Sequence, residues 1–174
     1  MTFAVGFGFT IILAAPLEWI IHRGMHILPS VSAIHLRHHS CYSPASEALT
    51  SDAKKADRVP VFRKMAKCVT HFLFFVMLGS ALVAAPAWLV SHNLSLVVGV
   101  VSATVSVSLV LITIHHATHH PDRHRLIQGQ SWFHHLKSFH HFHHAHPEVN
   151  FSCLLPFADK FFGTLYFEPD RRSS

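Results

Sequence analysis

Apolar residues along this chain gather in three long blocks. Thr2 to Ile21 is apolar apart from Glu18 near its end. Thr70 to Val90 is built of Phe, Leu, Val, Met and Ala, with His71 at its start, and Leu94 to Ile114 is rich in Val, Ser and Leu and carries no charge. Each block has the roughly 20 residues that a helix needs to cross a hydrocarbon core. Only Ser91, His92 and Asn93 separate the second block from the third, so these two form a helical hairpin. The remaining segments are mixed. Ala45 to Cys68 interleaves Lys and Arg with Val61, Phe62, Met65 and Ala66, a pattern suited to a helix lying on an anionic membrane surface. Phe151 to Phe167 carries enough aromatic and aliphatic residues to dip into the interface or to pack on the bundle. The pattern predicts one all-α domain over residues 1–174. It is an integral membrane helical bundle of about three spans (2–21, 70–90 and 94–114) with a histidine-rich helical cap from 22–69 and 115–174.

Composition strengthens the membrane reading. Half of the 174 residues are hydrophobic and 13% are charged, against about 25% charged in a typical soluble domain. That excludes a solvated globule and a disordered chain. The net charge of +5 would suit nucleic acid or an anionic membrane, and the apolar blocks choose the membrane, so no nucleic-acid partner is expected. The first block lacks the basic leading region of a signal peptide and runs directly into Glu18 and His22. All 14 Lys and Arg residues lie either between Arg23 and Lys67 or between Arg123 and Arg172. Basic residues collect on cytoplasmic flanks, so three spans put the N-terminus outside and the cap in the cytoplasm. A bacterial inner membrane or the endoplasmic reticulum would accommodate this. Cys41, Cys68 and Cys153 are odd in number and scattered, and they form neither a disulfide framework nor a zinc knuckle.

Histidine supplies the chemistry. There are 19, and all but His71 and His92 fall in the cap segments. His22 and His26, and again His115 and His119, are four residues apart, which stacks both rings on one helical face. His35-Leu36-Arg37-His38-His39 and His140-His141-Phe142-His143-His144 repeat one HxxHH pattern. About ten imidazoles converge on one end of a small bundle, enough for two metal ions, whereas a structural zinc takes four ligands. Carboxylates are few, and no Glu-x-x-His pair of the soluble di-iron type is present. A redox metal working with O2 fits this nitrogen-rich inventory. Glu18, Asp122, Glu148, Asn150 and Asp159 are the candidate acceptors for the ligands' outward ring N–H groups. His116, His124, His134, His135, His141 and His146 could be ligands, supporting groups or bystanders. Trp19 and Trp88, near span ends, read as interfacial belt residues. A membrane metal transporter or metal-binding protein is the non-enzyme alternative. It would need polar ligands within the spans, which offer only His71 and Glu18, near their ends.

Glu18-Trp19-Ile20-Ile21-His22-Arg23-Gly24-Met25-His26, then His35 to His39, His115 to His120 and His140 to His144 resemble, in order, the histidine boxes of the fatty acid hydroxylase/sterol desaturase superfamily. Asn150-Phe151 and Asp159-Lys160-Phe161-Phe162-Gly163-Thr164-Leu165 resemble that family's closing element. The resemblance runs over roughly residues 15 to 167. It implies a membrane-bound di-iron oxygenase that hydroxylates or desaturates lipid C–H bonds with O2 and two external electrons. It implies His22, His26, His35, His38, His39, His115, His119, His140, His143 and His144 as ligands to two Fe, with Zn a possible substitute in purified protein. In the third box HxxxH can be drawn as His115/His119 or as His116/His120. An HxxxxH reading from His115 to His120, and the short chain, resemble the β-carotene hydroxylase branch, whereas the Glu-Trp-x-x-His-Arg opening and the FGT tail favour the fatty acyl and sterol branch. With no fused cytochrome b5 domain, electrons are expected from a separate cytochrome b5, ferredoxin or reductase.

Overall fold

A computed structural model describes residues 1–40 and 77–166. The expected surface helix over Ala45 to Cys68, the start of the second span with His71, and the tail from Phe167 onward lie outside the described residues. Helices and turns account for the regular structure that is described, and none of the described residues forms a strand.

Helix α1, Thr2–Ile27, is one continuous rod of 26 residues. It stops at Leu28, whose backbone is extended, as expected for a residue that precedes a proline. Pro29 then opens α2, Pro29–Ser40, with the preset φ that suits a first helical position. Helix α3, Met77–Ser91, is the described part of the expected second span. After a tight turn in which His92 takes a positive φ of 48°, α4 runs over Leu94–His119. Asn93 caps it by accepting the Leu96 N–H at 3.1 Å. A short 3-10 turn, Pro121–Arg123, leads to α5 (Arg125–Gln128), α6 (Ser131–Ala145) and α7 (Phe157–Phe162).

Of the described helices, α1 and α4 are each long and apolar enough to cross a membrane. Both continue past the apolar stretch into the cap as unbroken rods. Consequently His22 and His26 on α1, and His115 and His119 on α4, are carried on the same rigid elements that form the bundle.

These two helices pack extensively on each other, and small residues let them approach. A Cβ placed on Gly6 would collide with the Leu96 carbonyl oxygen, and one on Gly99 with the Phe3 carbonyl oxygen. Gly6 and Thr10 on α1 face Gly99 and Ala103 on α4, all buried. In lipid there is little hydrophobic gain in joining two apolar helices, so close van der Waals packing through small residues supplies the attraction. The hydroxyls on this seam are satisfied within their own helices: Thr10 Oγ1 donates to the Gly6 carbonyl and Thr104 Oγ1 to that of Val100, each at 2.9 Å. Val5, Phe9, Ile12, Val98, Leu109 and Val110 point outward, where lipid chains would meet them.

Replacing Gly99 by Leu should drive the helices apart and cost about 1–3 kcal/mol of overpacking strain. In detergent this reads as a lower melting temperature and a smaller folded fraction. Gly8→Ala, where an added Cβ meets nothing within 4 Å, should leave both unchanged.

Candidate metal centre

Four helices deliver ten imidazoles to the end of the bundle. The structure sorts them into two sets of five, within each of which the ligating atoms lie within 4.8 Å of one another. His22 and His26 from α1, His35 and His39 from α2 and His143 from α6 form the first set. His38 from α2, His115 and His119 from α4 and His140 and His144 from α6 form the second. Helix periodicity makes the division. On α2, His35 and His39 share a face at i, i+4 while His38 points to the neighbouring set. On α6, His140 and His144 share a face and His143 turns to the other. The sets are therefore adjacent, and the His39 and His144 rings stack across the boundary at 4.2 Å between centroids.

The nitrogen geometry bears on what the sets can do. His35 Nε2 lies 3.0 Å from the Nε2 of His22, 3.0 Å from that of His26 and 3.1 Å from that of His39. His26 Nε2 is 3.1 Å from His143 Nε2. In the second set His140 Nε2 is 2.9 Å from His119 Nε2 and 3.0 Å from His144 Nε2, and His115 Nε2 is 3.0 Å from His38 Nε2. A ring nitrogen carries one proton or one lone pair, so three nitrogen neighbours around His35 Nε2 cannot all be hydrogen-bonded to it. Metal–imidazole bonds of about 2.1 Å at right angles put adjacent nitrogens about 3.0 Å apart. The spacing fits a shared cation in each set, and five donors leave an octahedral ion one position short.

Such a shell requires neutral rings with Nε2 lone pairs, so the protons must sit on Nδ1. His22 donates its Nδ1–H to the Phe151 carbonyl, and His143 donates its own to the Val149 carbonyl at 2.6 Å. Hydrogen bonds of this kind fix tautomer and ring orientation. Burial is the main reason that the pKa values of His35, His39, His143 and His144 fall below the ordinary imidazole value, to about 2, 3, 4 and 2. Repulsion from neighbouring imidazoles adds to this. His38 and His140 are shifted the same way for the same reasons. All are thus in the ligating form at neutral pH.

The two carbonyls belong to an irregular segment that the closing element holds in place. Asp159 is fully buried; its Oδ1 accepts the Phe151 N–H and the Thr164 hydroxyl, and its Oδ2 accepts the Ser152 N–H, all at 2.8 Å. Gly163, with φ of 71°, ends α7. This left-handed cap, disfavoured for residues with a Cβ, lets the Thr164 N–H return to the Asp159 carbonyl at 2.8 Å. Asn150, also left-handed at φ 56°, is tied to the backbone of Tyr166 through both ends of its amide. Trp19 donates its Nε1–H to Thr164 Oγ1 at 2.8 Å and stacks on Phe162 at 4.0 Å. Phe151 sits against His22, His26 and His143, with ring centroids 5.4–5.9 Å away.

Several expectations change here. Trp19 is 8% exposed and anchors the closing segment to α1; it is not an interfacial belt residue, while Trp88 remains exposed. Asn150, Asp159 and Glu18 do support the centre, but by holding backbone N–H groups of residues 151–153 and 166; the ring partners of His22 and His143 are carbonyls, which no residue type announces. Asp122 and Glu148 are exposed, and Glu148 pairs with His146 at 3.7 Å. In the third box His115 and His119 enter the set; His116 pairs instead with His124 at 2.8 Å. His141 faces the Thr118 carbonyl at 3.1 Å, and His134, His135 and His146 are exposed. Of the aromatic tail, Phe151 packs in the core whereas Phe157 and Phe161 are exposed.

The bundle thus combines two helices long and apolar enough to cross a membrane with two all-histidine sets that could each hold a metal ion. The profile of the fatty acid hydroxylase family matches residues 7–164, and the chain belongs to that family. Comparison with curated proteins and with solved structures gives no match.

Depressed pKa values make a prediction for the metal-free protein. The unfolded chain takes up protons near the ordinary imidazole pKa of about 6.5, whereas His143 in the fold resists until about 4 and His35, His39 and His144 until still lower pH. Stability is therefore present above pH about 6.5 and is lost as the pH falls through the folded values. The melting temperature of chelator-treated protein should be lower at pH 5 than at pH 7.5; a flat profile would show that the rings are hydrated.

Proposed function

We propose that this protein is a membrane-bound di-iron oxygenase that hydroxylates C–H bonds of a lipid of fatty acyl or sterol type. The observation that carries the reading is the pair of five-nitrogen sets with adjacent Nε2 atoms 2.9–3.1 Å apart. Imidazole suits iron, and also zinc, copper and nickel, so zinc in purified protein would be a substitute. Among the described residues no carboxylate joins either set, which speaks against a hydrolytic two-metal site with bridging acids. His115 and His119, rather than His120, complete the second set, which supports the fatty acyl or sterol branch over the carotenoid one.

Bound iron would supply the activation of O2 and the oxidation of the substrate. The overall balance is R–H, O2, two electrons and two protons to R–OH and water. The chain's own part is binding, orientation and exclusion of water. Ten neutral imidazoles hold the ions. The Val149 and Phe151 carbonyls hold His143 and His22 in their ligating tautomer, and Asp159 holds the Phe151 and Ser152 N–H groups. The Phe151 ring dries one side of the first set. A lipid chain reaching the centre from the bilayer would pass between the spans. The asymmetry of Lys and Arg along the chain supports a cytoplasmic cap, where Arg123, Arg125 and Lys137 could meet an acidic electron carrier.

Protein purified from iron-supplemented cells should hold about two irons and, given a reductase system and 18O2, should place one labelled oxygen in a lipid alcohol. His143→Ala and His38→Ala should each abolish product, one variant from each set, while still inserting in membranes. Turnover retained in both would sink the assignment. His116→Ala should keep most of the activity, because its ring lies outside both sets.

A further inference from the structure

In the second set, one ligand-positioned ring is supported by sulfur. His140 is 1% exposed, and its Nδ1 faces the Sγ of Cys153 at 3.5 Å, where His22 and His143 have carbonyl oxygens. Cys153 is itself buried at 5% exposure, so solvent does not compete for either atom. The backbone of Cys153 is held as well: its N–H donates to Glu18 Oε1 at 2.6 Å.

A thiol is a weak donor and a weak acceptor, so its sulfur can accept the Nδ1–H of His140. The opposite arrangement, S–H donated to Nδ1, would leave the ring proton on Nε2. That nitrogen faces His119 and His144 at 2.9 and 3.0 Å, and a proton there would remove its lone pair from the set. We infer that Glu18, Cys153 and His140 form a positioning chain. Cys153 holds His140 in the tautomer whose Nε2 can bind the second metal, and Glu18 on α1 holds the Cys153 backbone. The first set is steadied through the Val149 and Phe151 carbonyls, the second through this sulfur. The inference rests on the two-metal reading of the histidine sets.

The test uses full-length protein in detergent, stripped of metal and titrated with Co(II), with visible absorption and equilibrium dialysis as readouts. Wild type should take up two equivalents and His140→Ala should lose one. Loss of an outer partner of a ligating histidine typically weakens metal binding about 10- to 100-fold. Cys153→Ala should therefore weaken one equivalent by that factor and leave the other unchanged. Cys153→Ser, which keeps a donor and an acceptor, should restore most of the lost affinity. Two equivalents at wild-type affinity in Cys153→Ala, beside a loss in His140→Ala, would overturn the inference, as would equal weakening of both equivalents. If wild type takes up no cobalt, or His140→Ala loses none, the two-metal reading fails as well, a pattern distinct from either Cys153 outcome.

Discussion

The structure depends on one constraint: ten imidazole nitrogens with their lone pairs turned inward, packed about as closely as ligands around a cation. Protonated rings at this density would repel, and neutral rings cannot satisfy one another, because an Nε2 without its proton only accepts. The arrangement therefore needs a proton on Nδ1, with an acceptor waiting for it, and its centre could hold a cation. The hydrogen-bonding around the centre answers that need. Carbonyls of Val149 and Phe151 receive the Nδ1–H of His143 and His22, and their segment is held by Asp159, Asn150, Glu18 and Thr164.

The bundle serves the same constraint at longer range. α1 and α4 cross at Gly6 and Gly99, and both continue without interruption to His26 and His119. A shift of the helices at the glycine seam would thus move four of the ligand-positioned rings. Trp19 ties the closing segment to α1 through Thr164, so the bundle, the cap and the tail are joined around the histidines. α2 and α6 each supply rings to both sets, so their rotations cannot be adjusted for one set without disturbing the other.

Much of this was legible along the chain. Apolar blocks of span length marked α1 and α4, and the Ser91–Asn93 break marked the turn between α3 and α4, because a helix in lipid must satisfy its backbone internally and so needs an unbroken apolar run. The i, i+4 and HxxHH spacings marked eight of the rings that the fold gathers, because helical periodicity alone puts such residues on one face, and left the third box open between His115/His119 and His116/His120. Less could be read of the supports. Carbonyl acceptors are present at every residue, so nothing in the composition singles out Val149 or Phe151. Trp19 looked like a belt residue because a tryptophan near a span end has that role by position, and only the return of the tail over α1 buries it.

By itself, then, the sequence determined apolar helices of span length, a basic and histidine-rich end, and rings spaced so that they could share a metal. Those are properties of residue type and local period. Tertiary structure decided how the rings are divided between two sets, why His115 and His119 rather than His116 and His120 join the second, and which atoms hold the tautomers. Each of these depends on contacts between segments far apart in the chain, such as His22 with Phe151, His38 with His115 and Cys153 with Glu18, and no local period encodes them.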